Sequence, residues 1–193
     1  RGVLIPRDDT EVVVNLCIDF LENRTDKKTV DLCSGSGAIA VALDKISGAK
    51  VTAVEIDETA FSYLETNVKE NNSSVKPVMA DALEICDTFA DGELDLIVSN
   101  PPYIKSADIE TLQKEVQLEP RLALDGGEDG CDFYREIVSR WSRKLKKGGA
   151  LAFELGENQA DAVKALMAEQ GFSDFKISLD FGGVQRAIIG TLL

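Results

Sequence analysis

The tetrapeptide Asn100-Pro101-Pro102-Tyr103 directly follows an apolar run, residues 94–99, that is typical of a buried strand. Proline lacks an N–H donor and restricts the residue before it to extended conformations, so neither a helix nor a strand ladder continues through this tetrapeptide. We expect the Asn100 side chain to project just beyond the strand, beside rigid backbone carbonyls and an aromatic ring. The pattern therefore predicts that an amide and rigid carbonyls face a crevice at the end of a buried strand.

Residues 30–37, with the sequence V-D-L-C-S-G-S-G, join another apolar strand to a helix and form a second candidate site. Glycines at such a junction let the backbone approach a ligand closely and expose the amides of the helix N-terminus. The order Cys-x-Gly-x-Gly differs from the G-x-G-x-x-G fingerprint of dinucleotide sites, and the sequence has no G-x-x-x-x-G-K-[ST] loop for a nucleoside triphosphate. A glycine-rich turn that serves only close strand–helix packing is the alternative interpretation.

Two carboxylates follow the next two predicted strands. Glu55 ends the strand after the glycine loop, about 20 residues beyond it, where a carboxylate can accept hydrogen bonds from both hydroxyls of a ribose. Asp81 ends the third strand, and its carboxylate can accept a hydrogen bond from the exocyclic amino group of an adenine. Either acid alone is more often a solvated loop residue, but three successive junctions at one sheet edge predict a shared nucleoside site.

Alternating strands and helices must position these junctions, and the hydrophobic pattern predicts such an alternation along the chain. We predict strands at residues 28–33, 51–56, 75–79, 94–99, 150–155, 175–179 and 184–191, and helices at residues 9–24, 38–46, 58–70, 132–145 and 158–170. This order builds right-handed βαβ units and a parallel sheet covered on both faces. Residues 180–183 are too few for a parallel crossover, so the last two strands must pair antiparallel. The predicted fold class is α/β, a seven-stranded mostly parallel sheet with an antiparallel C-terminal hairpin.

The composition excludes several classes of mechanism. The 193 residues are 44% hydrophobic, which suffices for one packed domain, and they carry a formal net charge of −13. That acidic balance argues against tight, nonspecific binding to a phosphate backbone. Histidine is absent from the sequence, so an imidazole base, a Ser-His-Asp triad and a histidine-ligated metal are excluded.

A basic cluster is the exception to the acidic balance. Its members are Arg135, Arg140, Arg143, Lys144, Lys146 and Lys147. We interpret it as the solvated face and C-terminal turn of a helix that ends in Lys146-Lys147-Gly148-Gly149, because basic residues followed by glycine favour helix C-termini. A local nucleic-acid-binding patch is the alternative interpretation.

The cysteines and the N-terminus bear on the origin of the chain. Cys17, Cys33, Cys86 and Cys131 are scattered without a C-x-x-C pair, which favours reduced thiols in a cytoplasmic protein over a disulfide framework or a zinc site. The sequence has no apolar run long enough to span a membrane and no signal peptide. The chain begins at Arg1 rather than methionine, so we expect a fragment or processed chain with sequence missing before it.

The glycine loop, the acids after the second and third strands and N-P-P-Y after the fourth together resemble the class I S-adenosylmethionine-dependent methyltransferases, whose fold is Rossmann-like. Within that superfamily N-P-P-Y marks enzymes that methylate a planar, conjugated nitrogen. V-L-I-P-R-D-D-T-E at residues 3–11 and E-P-R-L-A-L-D-G-G-E-D-G-C-D-F-Y-R at residues 119–135 narrow the resemblance to the HemK-type protein-(glutamine-N5) methyltransferases. It covers essentially the whole chain. The departures are Cys33 in place of a glycine, Glu55 in place of an aspartate and Asp8-Asp9 in place of Pro-Glu.

The resemblance implies methyl transfer from S-adenosylmethionine, which leaves S-adenosylhomocysteine, to the glutamine amide in the Gly-Gly-Gln tip of peptide chain release factors. It implies cofactor contacts by Asp31, Cys33, Ser34, Gly35, Gly37, Glu55, Asp81, Ala82 and Asn100. It implies catalytic roles for Asn100, Pro101, Pro102 and Tyr103, and a substrate side formed by Pro6, Arg7, Thr10, Glu11, Asn100, Pro101 and Tyr103. In this interpretation the Asn100 side-chain oxygen and the Pro101 carbonyl accept hydrogen bonds from the two N–H groups of the glutamine amide.

Other interpretations compete with these assignments. Thr10 and Glu11 can simply start a helix, and Glu119-Pro120-Arg121 can be a rigid turn with a surface charge pair. Glu154 can face the pocket or bind backbone amides at the end of its strand. The competing functions are an amino-methyltransferase acting on adenine in DNA or RNA and a non-catalytic nucleoside-binding scaffold.

The resemblance also sets expectations about organisation. Family members usually carry a small helical substrate-docking domain before the I-P-R segment, and we expect residues 1–193 to be the methyltransferase domain without it. We expect a cytoplasmic monomer that binds release factors, with no sequence-specific nucleic-acid contact, no membrane contact and no metal. Because a small side chain can take the place of the first loop glycine, we expect Cys33 to have little effect on cofactor binding.

Overall fold

The fold is described from a computed structural model of the chain, which covers Arg7, residues 9–114 and residues 116–193. Within these residues the α-helices are α1 Thr10–Leu21, α2 Ala38–Ser47, α3 Glu58–Glu70, α4 Asp132–Trp141 and α5 Ala160–Glu169. The strands are β1 Lys28–Leu32, β2 Lys50–Glu55, β3 Lys76–Met79, β4 Leu94–Ser99, β5 Leu145–Glu154, β6 Phe172–Leu179 and β7 Gln185–Leu192. Short 3-10 helices lie at residues 85–88, 109–111, 116–118, 121–123 and 142–144, mostly in the irregular region between β4 and α4.

The strands of the described residues form one seven-stranded sheet in the order β3-β2-β1-β4-β5-β7-β6. β1 to β5 pair in parallel, so their carboxyl ends lie at one edge of the sheet. The central strands β1 and β4 are almost entirely buried, as their continuous apolar runs predict for a sheet covered on both faces. The chain reverses its direction of winding between β1 and β4, and the crevice outside such a switch point is where open α/β sheets bind ligands.

The predicted C-terminal hairpin is confirmed, and it has an order that the sequence alone did not show. β7 pairs antiparallel with both β5 and β6, so the last strand is inserted between its two predecessors. Asp180 closes the turn, because its Oδ1 accepts hydrogen bonds from the amides of Gly182 at 2.8 Å and Val184 at 3.0 Å. The predicted α/β class with a mostly parallel sheet is confirmed.

Two hydrophobic clusters cover the two faces of the sheet. On one face α1, α2 and Leu64 of α3 pack against alternate residues of β2, β4 and β5. On the other face α4 and α5 pack around Trp141 and Tyr134, which are fully buried. The burial of alternate side chains on opposite faces follows from the two-residue period of a strand. None of the helices in the described ranges is long and apolar enough to cross a membrane.

The interpretation of the basic run as a helix C-terminus is wrong. α4 ends at Trp141, and Lys146 to Gly149 lie inside β5. The reason is burial: Leu145 is 3% exposed, and the ammonium of Lys144 donates to the Phe89 carbonyl and to Asp91, both at 2.8 Å. These tertiary contacts extend the strand, whereas local propensity favoured a longer helix.

Candidate active site

The carboxyl edge of the sheet holds two adjoining cavities, and Asn100 lines both of them. The first cavity lies beyond β1, β2 and β3, and its lining includes Cys33, Gly35, Glu55, Asp81 and Ala82. The second cavity lies beyond β4 and β5, and its lining includes Arg7, Thr10, Pro101, Tyr103 and Glu154. Because Asn100 follows β4 directly, the sheet holds this residue where the two cavities meet.

The tetrapeptide at residues 100–103 is neither strand nor helix, as its two prolines predict. Ser99 anchors its start, because the Ser99 hydroxyl donates to the Leu32 carbonyl of β1 at 2.7 Å. At its end the Tyr103 hydroxyl donates to Glu154 Oε1 at 3.4 Å. Burial raises the pKa of Tyr103 far above its ordinary value, so this hydroxyl stays protonated. The tetrapeptide is therefore attached both to β1 and to β5.

The two glycines of the predicted loop have different neighbours. Gly35 has a φ of +56°, lines the first cavity and has no atom within 4 Å of the place where a Cβ would lie. Gly37 has a φ of +81°, and a Cβ there would lie 2.3 Å from Leu64 Cδ1. Gly35 thus leaves backbone open to a ligand, whereas Gly37 permits close packing of the loop against α3.

Glu55 uses its carboxylate to organise the backbone around the first cavity. Its Oε2 accepts a hydrogen bond from the Gly35 amide at 2.7 Å. Its Oε1 accepts hydrogen bonds from the amides of Ile56 at 2.9 Å and Asp57 at 2.8 Å. A carboxylate has about four acceptor sites, so one site on Oε2 is left for a ligand. The additional methylene of glutamate relative to aspartate gives the carboxylate the reach to bond the glycine loop.

The lining of the first cavity also combines a second acid with apolar walls. Asp81 Oδ1 accepts a hydrogen bond from the Leu83 amide at 2.7 Å, and Phe133 forms part of the wall. Ile56 and Leu122 also line this cavity, although they are 48% and 52% exposed. Exposed apolar side chains beside hydrogen-bond acceptors fit a planar heterocycle that carries amino and hydroxyl groups.

Asp31, at the predicted cofactor loop, is fully buried beneath that loop. Neither of its carboxylate oxygens has a hydrogen-bond partner among the described residues. Burial is the main reason that the pKa of Asp31 rises to about 7, and the nearby charge of Glu55 adds to the effect. Asp31 and Leu96 of the neighbouring β4 lie on the face of the sheet that packs against α1 and α2.

Cys33 has a left-handed backbone with a φ of +57°, a conformation that favours glycine. This explains physically why a glycine suits the position, and the cysteine carries backbone strain of about 1–2 kcal/mol. Burial raises the pKa of the Cys33 thiol to about 12, so the group is uncharged at neutral pH. The expected small effect of Cys33 on cofactor binding stays a prediction.

The second cavity contains an arginine and a buried acid. Glu154 is 2% exposed, its Oε2 has no hydrogen-bond partner among the described residues, and burial raises its pKa above the ordinary value. Arg186 also lines this cavity and is held by Asp180, whose Oδ2 lies 3.0 Å from its NH2 group, and by Asp9 at 3.5 Å. Of the two readings of Glu154, the structure supports the one in which it faces the pocket.

The segment Glu119-Pro120-Arg121 is divided between the cavities and the surface. Glu119 lies 3.8 Å from Arg7, and Pro120 lines the first cavity. Arg121 forms an ion pair with Asp125 at 3.0 Å. Arg121 therefore pairs with Asp125 and not with Glu119, while Glu119 connects the turn to Arg7 of the second cavity.

The cavities bring most of the predicted site residues together. Those that line the first cavity are Cys33, Gly35, Glu55, Asp81, Ala82, Asn100 and Pro102, and those that line the second are Arg7, Thr10, Asn100, Pro101 and Tyr103. Four predicted residues, Asp31, Ser34, Gly37 and Glu11, are not among the described residues that line either cavity. The Ser34 hydroxyl donates to the Asp31 carbonyl instead, and Glu11 is exposed on α1. Pro6 lies outside the described residues.

Two residues at the site, Arg186 and Gln159, were not predicted from the sequence. Arg186 lines the second cavity, and Gln159 donates from Nε2 to the Tyr103 carbonyl at 2.9 Å. Their positions in the chain, next to the ends of predicted strands, could have indicated that they lie near the site. Gln159 follows the end of β5, and Arg186 is the second residue of β7, which returns antiparallel beside β5, so both lie at the carboxyl edge.

Comparison with known proteins supports a methyltransferase. Residues 7–128 match the family described as the Methyltransferase small domain. The chain is similar to the release factor glutamine methyltransferase of Clostridium acetobutylicum (38% identity, 98% of this chain, 67% of the relative) and to that of Geobacter sulfurreducens (41%, 99%, 66%). It thus spans about two thirds of the length of these relatives. The catalytic domain of hMettl16 in complex with the MAT2A 3′UTR hairpin 6 shares the fold, with a TM-score of 0.74 at 17% identity over 100% of this chain and 73% of that one.

Proposed function

We propose, because this chain belongs to the family of release factor glutamine methyltransferases, that it methylates the side-chain amide nitrogen of a glutamine in peptide chain release factors. The proposed target is the glutamine of the Gly-Gly-Gln tip, and the proposed methyl donor is S-adenosylmethionine. The observation that carries the proposal is the position of Asn100, which lines both cavities. A side chain at that junction can orient an acceptor in one cavity toward a donor in the other.

The first cavity is the proposed site of S-adenosylmethionine. The remaining acceptor site of Glu55 suits a ribose hydroxyl, and the second carboxylate oxygen of Asp81 suits an adenine amino group. Gly35 leaves room for close approach to its backbone, and Ile56 and Leu122 supply apolar surface for the ring. S-adenosylmethionine bound there supplies a methyl group on a positively charged sulfur, which makes that carbon electrophilic.

The second cavity is the proposed site of the glutamine side chain. An amide nitrogen is a poor nucleophile, because its lone pair is delocalised into the carbonyl. The Asn100 side-chain oxygen and the Pro101 carbonyl accept hydrogen bonds from the two N–H groups of the glutamine amide. They thereby fix the plane of the amide and direct its nitrogen toward the first cavity. The same two acceptors favour the positive charge that develops on nitrogen. Pro101 and Pro102 keep the acceptors rigid, and Tyr103 forms a wall of the site.

The reaction does not require a strong base, because a methylated amide nitrogen loses its extra proton readily. The protonation state of Tyr103 in the second cavity agrees with a reaction that needs no strong base. The pKa of Tyr103 is raised chiefly by burial, so the residue acts as a hydroxyl donor and not as a phenolate. The role left to Tyr103 is to hold the site and to exclude water.

The basic cluster gives little support to adenine in a nucleic acid as the alternative substrate, because acids pair with most of it. The pairs are Arg135 with Asp129 and Asp132, Arg140 with Glu136, Arg143 with Asp87, Lys144 with Asp91, and Lys146 with Asp95. Neutralised cations contribute little to counterion release from a phosphate backbone. The likeness to an RNA-bound methyltransferase extends to the fold alone.

Mass spectrometry of a release factor incubated with this chain and S-adenosylmethionine tests the proposal. We expect the mass of one added methylene group on the tip glutamine, and no such addition to a release factor whose tip glutamine is replaced by alanine. Parallel incubations with DNA and RNA and a labelled cofactor test the alternative. Label in nucleic acid with an unmodified release factor would overturn the proposed substrate.

A further inference from the structure

Gln159 lies between the end of β5 and the start of α5, and its side chain has polar contacts at both ends. Nε2 donates to the carbonyl oxygens of Tyr103 at 2.9 Å and Gly130 at 3.1 Å. Oε1 accepts from the Gly156 amide at 2.9 Å and lies 3.2 Å from the Tyr134 hydroxyl. Two carbonyl oxygens on one side and an N–H on the other permit one orientation of the amide.

Gln159 connects three separate segments, one of which lines the second cavity through Tyr103. Tyr103 belongs to the tetrapeptide after β4, Gly130 to the turn before α4, and Gly156 to the loop after β5. A glutamine is the side chain suited to this place, since it carries two donors and an acceptor on one uncharged group. The main chain of Gln159 is fixed as well, because its carbonyl accepts the amide of Val163 at 3.0 Å.

The glycines around this contact show how closely the backbones approach. A Cβ on Gly130 would lie 2.5 Å from the Tyr103 carbonyl oxygen, and a Cβ on Gly126 would lie 2.7 Å from Tyr103 Cα. A Cβ on Gly156 would lie 2.5 Å from Gln159 Oε1 and 3.0 Å from the Tyr103 ring. Tyr103 is therefore held in a tight cradle of backbone, and Gln159 supplies the hydrogen bonds across it.

We propose that Gln159 is a positioning residue for methyl transfer, which acts by fixing the Tyr103 carbonyl and through it the two acceptors at Asn100 and Pro101. This inference rests on the proposed function. The rigid prolines transmit the constraint, because they leave little freedom between the acceptors and Tyr103. Gln159 itself is not among the described residues that line the first or the second cavity. It therefore acts on the substrate only through the tetrapeptide.

The test is the Gln159→Glu variant, which keeps the acceptor toward Gly156 but turns a carboxylate oxygen toward two carbonyls. We expect kcat for release factor methylation to fall by about ten- to a hundredfold, as for a small displacement of a positioning group. We expect the dissociation constant of S-adenosylmethionine to stay within about twofold, since the hydrogen bonds of Glu55 and Asp81 in the first cavity do not involve Gln159. The ratio of variant to wild-type kcat rises as the pH falls, because a protonated glutamate again donates a hydrogen bond to the carbonyls.

Two further variants separate positioning from folding. Gln170→Glu makes the same change at an exposed residue that follows α5, and its kcat stays at the wild-type value. Gln159→Met keeps the length of the side chain without any hydrogen bond, so it lowers kcat without the recovery at low pH. An unfolding midpoint measured at each pH accompanies every rate.

The outcomes separate this inference from the function on which it rests. A wild-type chain that forms no methylated product overturns both. Product from the wild-type chain with near-normal kcat for Gln159→Glu and Gln159→Met overturns only the positioning role. A loss of kcat that follows a lowered unfolding midpoint or a weakened cofactor affinity also overturns it, because the residue would then be purely structural.

Discussion

Glu55 Oε2 accepts a hydrogen bond of 2.7 Å from the Gly35 amide, so the acid at the end of β2 holds the glycine loop at the end of β1. The two features of the predicted nucleoside site are thus parts of one hydrogen-bonded unit. A change at Glu55 alters the ligand acceptor and the loop at the same time, because the same carboxylate serves both.

Glu55→Gln is expected to weaken the binding of S-adenosylmethionine by about ten- to a hundredfold, because hydrogen bonds to a charged group contribute about 1.5–3 kcal/mol. Isothermal titration calorimetry measures the change. Glu65→Gln, an exposed position on α3, is the matched control and binds like the wild type. An unchanged dissociation constant for Glu55→Gln would exclude a direct contact with the cofactor.

Asn100→Ala is expected to lower kcat by about a hundredfold or more, because it removes one of two acceptors aimed at the developing charge. The affinity for S-adenosylmethionine changes little, since most of the first cavity is intact. Initial rates of release factor methylation and calorimetric titration of the cofactor check the two halves of the prediction. Asn15→Ala, exposed on α1, is the control. Near-normal turnover in Asn100→Ala would contradict the proposed role of the Asn100 side-chain amide.

Gly37→Ala is expected to destabilise the fold more than Gly48→Ala does. Both glycines have positive φ, +81° and +68°, so alanine is strained by about 1 kcal/mol at either position. Only at Gly37 does the added Cβ approach another residue, 2.3 Å from Cδ1 of the buried Leu64, which adds about 1–3 kcal/mol of overpacking. Urea unfolding measures both variants. Equal losses would show that Gly37 is needed for its backbone angle alone.

Asp31→Asn is expected to change how stability depends on pH. Burial raises the pKa of Asp31 to about 7, so the folded protein binds this proton more tightly than the unfolded chain does. Its contribution to the free energy of unfolding is therefore fully present below about pH 4 and is lost as the pH rises to about 7.

Asparagine does not titrate, so the Asp31→Asn variant does not lose this contribution to the free energy of unfolding as the pH rises. Its free energy of unfolding, relative to the wild type, should increase between pH 5 and pH 8 by about 2–4 kcal/mol. Urea titrations at the two pH values measure the difference, and Asp19→Asn, exposed on α1, serves as the control. A pH-independent difference between Asp31→Asn and the wild type would show that Asp31 is ionised in the folded protein throughout this range.

Local sequence signals predicted the elements well where packing and propensity agree. The bounds of α3 and β4 match their predicted ranges, since caps and apolar runs define both ends. Local sequence signals gave the wrong prediction at Lys144 to Gly149, where a basic run followed by glycines favoured a helix terminus. Burial of Lys144 and pairing of β5 with β4 decided otherwise, and both depend on residues more than 40 positions away.

By itself the sequence determined which residues stand at the ends of the strands, because strand period and turn chemistry are local. It placed Asn100, Glu55 and Asp81 at one edge, since parallel strands end together. Only the tertiary structure decided which partners these residues have. The insertion of β7 beside β5 brings Arg186 to the second cavity, and the packing of three glycines lets Gln159 reach Tyr103, 56 residues before it. Contacts of that kind depend on chain segments distant in sequence, so no local pattern records them.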